Sequence, residues 1–130
     1  MNVHADDAGS RGAPLDGEIG LVLARVTIAH GARRLVDDLS LAVGPGAVAT
    51  VMGPSGIGKS TLLAFVAGTL PRAFRARGEI RLDGRPIGHL PPHARRVAIL
   101  FQDDLLFPHM SVGENVAFGL PRSVRGRAAR

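Results

Sequence analysis

The sequence predicts a mixed α/β domain, with antiparallel strands at its beginning and a parallel core after them. Two apolar segments, residues 19–28 and 35–43, flank a turn around Gly31, a pattern typical of paired strands. A third apolar segment, residues 47–52, reads as a buried strand and leads into a glycine-rich loop and then a helix. Strand, glycine-rich loop and helix in this order are typical of a loop that binds phosphate groups.

The glycine-rich loop, residues 53–61, contains the pattern G-x-x-x-x-G-K-[ST], with Gly53, Gly58, Lys59 and Ser60 at the fixed positions. Its glycines let backbone N–H groups turn inward into a concave anion site. The apolar residues 62–67 predict a helix that Gly68 ends, and the start of that helix directs its N–H groups and positive dipole end at the same anion. Lys59 adds a charge for the outer phosphates, and the Ser60 hydroxyl can bind Mg²⁺. The predicted nucleotide-binding residues are Gly53, Ser55, Gly56, Gly58, Lys59, Ser60 and Thr61.

Further elements follow the loop along the chain. Residues 69–77 read as a basic loop, and residues 79–82 as a short strand that ends at the hairpin signal Asp83-Gly84. The apolar run 97–101 predicts a buried parallel strand. Gln102 follows at its carboxyl end, where α/β sheets place ligand-binding groups.

An apolar loop over residues 105–110 is predicted to be exposed. The sequence from Ser111 to Glu114 has the S-x-x-E form of a capping box, which predicts a helix that continues to Phe118.

The composition narrows the class of protein. The chain has 130 residues, 45% of them hydrophobic, and no cysteine, so it can build a core but no disulfide or thiolate metal site. No apolar run approaches the roughly 18 residues of a membrane-spanning helix. The net charge of +5 depends on arginines near the C-terminus with no aromatic residues among them, which favours a solvated face over a nucleic-acid site. Residues 1–17, rich in Gly, Ala, Asp and Ser, are predicted to form a disordered extension.

Taken together, these motifs resemble the ATP-binding subunits of ABC transporters, particularly those of bacterial importers. Residues 53–63 read G-P-S-G-x-G-K-S-T-L-L, the phosphate-loop form of that family. Gln102 and residues 106–120 are similar to its Q-loop region, and residues 78–84 match the hairpin between the two motifs. The resemblance spans about residues 19–121 and implies that residues 18–130 are the N-terminal part of an ABC-type nucleotide-binding domain, with a P-loop NTPase core and an antiparallel β subdomain.

The resemblance also implies roles for single residues. His30 stands where the family has an aromatic residue that stacks on adenine, and the alternative, a plain turn histidine, stays open. Gln102 resembles the residue that contacts Mg²⁺ and the attacking water, so Ser60 and Gln102 are the expected metal ligands. The region from Gln102 to Met110 would receive a membrane permease. Such a subunit binds MgATP, pairs with a second ATPase subunit and sits on the cytoplasmic face of the plasma membrane. Residues 99–107 are similar to a thiamine-type importer branch.

Three motifs of the family have no counterpart in this sequence: the L-S-G-G-Q signature, the second aspartate motif with its catalytic glutamate, and the switch histidine. The resemblance therefore implies a first half, cut before the helical subdomain and the rest of the sheet. Little or no ATP hydrolysis is expected, because a phosphate loop alone has no base to orient water. The alternatives are a truncated nucleotide-binding module without turnover, or a small P-loop kinase that uses Asp103 or Asp104.

Overall fold

The computed structural model describes residues 2–5, 20–103 and 105–120. The chain forms two compact units, Met1–Ile99 and Leu100–Arg130. The strands are β1 (Asn2–Ala5), β2 (Leu21–His30), β3 (Arg33–Val43), β4 (Ala49–Met52), β5 (Phe74–Leu82) and β6 (Arg85–Pro86). The helices are α1 (Lys59–Ala67) and α2 (Val112–Phe118), with a single 3₁₀ turn at Pro92–Ala94.

A four-stranded antiparallel sheet in the order β3-β2-β5-β6 forms the larger part of the first unit. The hairpin predicted from the two first apolar segments is confirmed, since β2 and β3 pair from Leu21 opposite Val43 to His30 opposite Arg33. Asp83-Gly84 forms the predicted turn between β5 and β6. These elements were predictable because alternation and turn residues act over a few positions.

Strand β5 is longer than the sequence predicted. It begins at Phe74, inside the segment read as a loop over residues 69–77. Phe74 and Ala76 pack against the hydrophobic core, and the strand pairs with β2 along its length, from His30 opposite Phe74 to Leu21 opposite Leu82. The loop prediction was wrong because it followed the basic character of the segment and Pro71, although residues 74–77 alternate apolar and basic side chains as a strand does.

The core lies between this sheet and helix α1. Its sheet side is contributed by β2, β3 and β5, and its helix side by Leu62 and Val66 of α1. Because the contact between helix and sheet removes the apolar side chains of both from water, it fixes α1 over the sheet. The fully or nearly fully buried members of the cluster are Leu23, Val26, Ile28, Val36, Leu62, Val66, Ile80 and Ile87.

The predicted parallel core is not formed among the described residues, where every strand pair is antiparallel. Strand β4 pairs with β1 and is not buried as predicted, since Met52 is 59% exposed. The predicted strand over residues 97–101 is also absent, and Leu100 is 99% exposed. A parallel strand needs a hydrogen-bonded neighbour and a cover on both faces, and the described residues supply neither to this segment.

The N-terminal region differs from the expected disordered extension at Asn2–Ala5, which forms β1 with Asn2 opposite Met52 and Ala5 opposite Ala49. The rest of residues 1–17 and the arginine-rich residues 121–130 lie outside the described residues.

In the second unit, helix α2 carries the predicted capping box. The Glu114 backbone N–H donates to the Ser111 hydroxyl oxygen, and the Ser111 backbone N–H donates to the Glu114 carboxylate at 2.7 Å. In the part of the chain that the structure describes, no helix is long and apolar enough to cross a membrane.

Candidate functional site

The glycine-rich loop leaves β4 and turns directly into helix α1 at Lys59, as the sequence predicted. Gly53, Gly56 and Gly58 have φ angles of 154°, 77° and 111°, in the range that L-residues with a side chain rarely adopt. Gly53 and Gly58 are the two fixed glycines of the pattern, and their φ angles explain why it demands glycine there. The three glycines fold the chain back on itself and set the first turn of α1 at the mouth of the loop.

Gly58 has a second reason to be glycine, because the loop approaches strand β3 closely there. A Cβ atom at Gly58 would lie 3.0 Å from the Leu35 carbonyl oxygen and 3.1 Å from the Leu35 Cβ. The start of α1 therefore rests against the backbone of β3, and the antiparallel sheet supports the loop.

The first turn of α1 is electropositive. Gly58 is its N-cap and offers no side-chain hydrogen bond to the first backbone N–H groups, and the turn contains no acidic residue. N-terminal N–H groups of a helix lack intrahelical acceptors and carry the positive end of the dipole. Ser60 is exposed and Thr61 half-buried in this same turn. The turn is therefore suited to an anion.

Lys59 places its ammonium group over the loop. Its Nζ donates to the Gly53 carbonyl oxygen at 2.7 Å and to the Pro54 carbonyl oxygen at 2.8 Å. An ammonium group has three N–H donors, so these two bonds leave one for a further acceptor. The side chain is thus held at the loop with a donor to spare, and a phosphate could exchange with either carbonyl.

The other end of α1 is held by Arg95, which the sequence reasoning missed. Arg95 is 7% exposed, and its guanidinium donates to the carbonyl oxygens of Phe65 (2.7 Å) and Val66 (3.1 Å) near the helix end. It also donates to the carbonyl oxygens of Gly88 (2.6 Å) and Leu90 (2.8 Å). Burial lowers the pKa of this guanidinium, which nevertheless stays protonated at neutral pH. No local pattern distinguishes Arg95 from the other arginines of the chain.

Gly68 makes room for this guanidinium. It ends α1 in the left-handed conformation at φ 80°, as predicted, and a Cβ atom there would lie 2.5 Å from the Arg95 Nε. Arg95 and Gly68 together fix where α1 ends. They thereby fix the position of the opposite end, which faces the loop.

His30 lies at the end of β2, exposed and opposite Arg33 of β3 and Phe74 of β5. Its ring contacts the Phe74 ring, with centroids 4.9 Å apart and planes at 38°. An exposed ring at a strand end is accessible to a ligand. Stacking on a base remains a prediction.

Gln102 is exposed and lies outside any helix or strand of the second unit. The strand expected before it is absent, so Gln102 does not lie at the carboxyl end of a strand as predicted. Ser60 belongs to the first unit, and the joint role of Ser60 and Gln102 in binding a metal stays a prediction. Asp103 is exposed, and Asp104 lies outside the described residues.

The apolar loop over residues 105–110 is exposed, as predicted, and Asn115 of α2 shapes it. The Asn115 side-chain oxygen accepts from the Phe107 backbone N–H at 2.8 Å. Its NH₂ group lies 3.2, 3.1 and 3.0 Å from the carbonyl oxygens of Phe107, Met110 and Ser111. One amide thus holds the part of the loop from Phe107 to Met110. The apolar side chains before it face solvent: Leu105 is 66% and Leu106 64% exposed.

Comparison with known proteins agrees with this geometry. The family model described as ABC transporter matches residues 36–130. The chain is 40% identical over 110 residues to the uncharacterized ABC transporter ATP-binding protein YnjD of Escherichia coli (strain K12), covering 85% of this chain and 51% of that protein. It is 43% identical over 109 residues to the spermidine/putrescine import ATP-binding protein PotA of Pseudomonas fluorescens (strain Pf0-1), covering 84% and 29%. It is 46% identical over 100 residues to the Fe(3+) ions import ATP-binding protein FbpC of Streptomyces avermitilis, covering 77% and 28%.

The family match and the strand–loop–helix geometry place the chain among the P-loop nucleoside triphosphatases. Within that class the chain belongs to the ABC transporter family, which confirms the resemblance seen in the sequence. The chain spans about half the length of the first of these relatives and less than a third of the other two.

Proposed function

We propose that this protein is an ATP-binding subunit of an ABC transporter, which binds MgATP at the glycine-rich loop and serves a membrane permease. The observation that carries the proposal is the electropositive first turn of α1, with glycines at positive φ before it and the Lys59 ammonium held over it. The relatives support it, because those with assigned names are called import ATP-binding proteins.

The phosphates would occupy the loop formed by Gly53, Ser55, Gly56 and Gly58, with their charge met by backbone N–H groups. Lys59 would exchange one of its carbonyl acceptors for a phosphate oxygen, at little cost because the new acceptor is charged. The Ser60 hydroxyl, exposed one residue further along, would help to hold the Mg²⁺, which would supply positive charge to offset that of the phosphates. The remaining predicted nucleotide-binding residues are Thr61, in the first turn of α1, and His30, which would stack on the adenine base.

Hydrolysis needs a group that orients the attacking water. Gln102 is the candidate for that role in this chain, and the sequence has no counterpart of the family's catalytic glutamate. We propose that the 130-residue chain binds MgATP with little or no turnover. Turnover would belong to a paired arrangement in which a second subunit completes the site.

The permease would bind at the region from Gln102 to Met110, at the cytoplasmic face of the membrane. The exposed apolar side chains of the loop provide the contact area, and the Asn115 amide gives the loop a defined shape before binding. A preformed loop loses less conformational entropy when a partner covers it.

Substitution of Lys59 with alanine tests the phosphate site. We expect the affinity for MgATP to fall by about 1.5–3 kcal/mol, which is about 10- to 150-fold, because a hydrogen bond to a charged group is lost. Isothermal titration calorimetry of the 130-residue chain measures this value. Arg85→Ala is a matched control, since Arg85 lies on β6 at the opposite edge of the sheet from β3. An unchanged affinity in the Lys59 variant would refute the assignment of the loop.

A further inference from the structure

The ring of Phe74 contacts the ring of His30 where the last residue of β2 pairs with the first residue of β5. We propose that Phe74 is a base-positioning residue: it holds the imidazole so that the two rings together form the platform for the purine of a nucleoside triphosphate. The inference rests on the proposed function, because it requires that a nucleotide occupies the loop.

Phe74 is anchored by the hydrophobic core and by the strand pairing. It is half-buried and packs against the hydrophobic core, whereas His30 is exposed. The two residues are opposite each other in the β2–β5 ladder, so the backbone fixes their separation. A centroid distance of 4.9 Å with planes at 38° is within the range of favourable aromatic pairs. Phe74 therefore restricts the rotamers of an otherwise free imidazole.

The pair formed by His30 and Phe74 lies within reach of the phosphate loop. The start of α1 touches β3 at Leu35, through Gly58. Arg33 is two residues away along β3, about 7 Å, and His30 faces it across the ladder at about 5 Å. The aromatic pair thus lies on the order of 10 Å from the first turn of α1. A nucleoside triphosphate spans such a distance between its base and its phosphates.

The pairing of Phe74 with His30 depends on the length of β5. The sequence predicts a strand that begins at Glu79, and a strand that began there would not reach the position opposite His30. The structure extends β5 by five residues, so that its first residue, Phe74, is the one opposite His30. The extension thus adds an aromatic ring at the point where a base would lie.

The test compares ligands with and without a base, in the 130-residue chain. Phe74→Leu keeps an apolar side chain on the core and removes the ring. We expect it to weaken MgATP about 3- to 10-fold, the value of an aromatic contact, and to leave the affinity for magnesium tripolyphosphate unchanged. Phe74→Tyr, which keeps the ring, should bind MgATP like the wild type. His30→Ala should have the same selective effect, and the double variant should lose less than the sum of the two.

A second measurement uses the unmodified chain. In NMR titrations the ring resonances of His30 and Phe74 should shift together with MgATP and stay in place with tripolyphosphate. Equal losses for MgATP and tripolyphosphate in Phe74→Leu, or no loss for either, would overturn the proposal, as would unmoved ring resonances. Failure of the proposed function appears differently: tripolyphosphate would then bind equally well to the wild type and to Lys59→Ala.

Discussion

Replacing Arg95 with leucine should remove a large fraction of the free energy of unfolding of the first unit. The guanidinium donates to four carbonyl oxygens, at 2.6 to 3.1 Å, on two stretches of chain that are distant in sequence. Leucine fills part of the volume but removes the donor from the buried Val66 carbonyl oxygen and from the partly buried ones of Gly88 and Leu90. The Phe65 carbonyl oxygen keeps the Gly68 backbone N–H as a donor. We therefore expect a destabilising change, even though the substitution also removes a buried charge.

The magnitude follows from these contacts. Each hydrogen bond to a charged group contributes about 1.5–3 kcal/mol, but contributions from a shared donor do not add, so we expect a total loss of about 3–5 kcal/mol. Domains of this size are stable by about 5–15 kcal/mol, so Arg95→Leu should remove a substantial part of the free energy of unfolding. With a urea m-value of about 2 kcal/mol/M, the midpoint should fall by about 2 M.

Urea unfolding followed by far-ultraviolet circular dichroism measures this change. Arg96→Leu is the matched control, because Arg96 is the next residue and is exposed. Arg95→Lys keeps the charge but not the planar fork of donors, and should lie between the wild type and the leucine variant. A midpoint for Arg95→Leu equal to that of Arg96→Leu would refute the conclusion that the guanidinium fixes the end of α1.

Two further predictions concern the second unit. Asn115→Ala should raise hydrogen exchange of the Phe107 amide at least tenfold, because its acceptor is removed; unchanged exchange would show that the loop keeps its shape without the amide. Hydrogen bonds from the Ser111 backbone and then from its side chain lower the pKa of Glu114. The contribution of this carboxylate to the helix cap should therefore be complete above its ordinary pKa of 4.5 and be lost as the pH falls through the lowered value. The protection of the Ser111 amide against hydrogen exchange should fall over this pH range in the wild type. In Glu114→Gln the protection should not change over the same range.

Much of the candidate site could be predicted because its determinants are local. Glycines at Gly53, Gly56 and Gly58 are needed for the φ angles of the loop itself, and Gly68 ends the helix within one turn. The capping box from Ser111 to Glu114 is likewise satisfied within four residues. The family match could be expected for the same reason, since it depends on short motifs with fixed residue types.

The predictions that failed concern contacts between distant segments. Apolar character alone suggested buried strands at residues 47–52 and 97–101, but a strand is buried only where neighbours cover it. The length of β5 was missed because the alternation at residues 74–77 contains only two apolar residues, and pairing with β2 decides that the strand begins there.

The sequence by itself determined the phosphate loop, the helix that follows it and the family, because backbone conformation and motif spacing are written in adjacent residues. Only the tertiary structure decided that Arg95 holds the far end of that helix and that Phe74 meets His30. Both contacts join residues about 30 to 44 positions apart, and such pairs are fixed by the packing of the sheet and helix around a shared core.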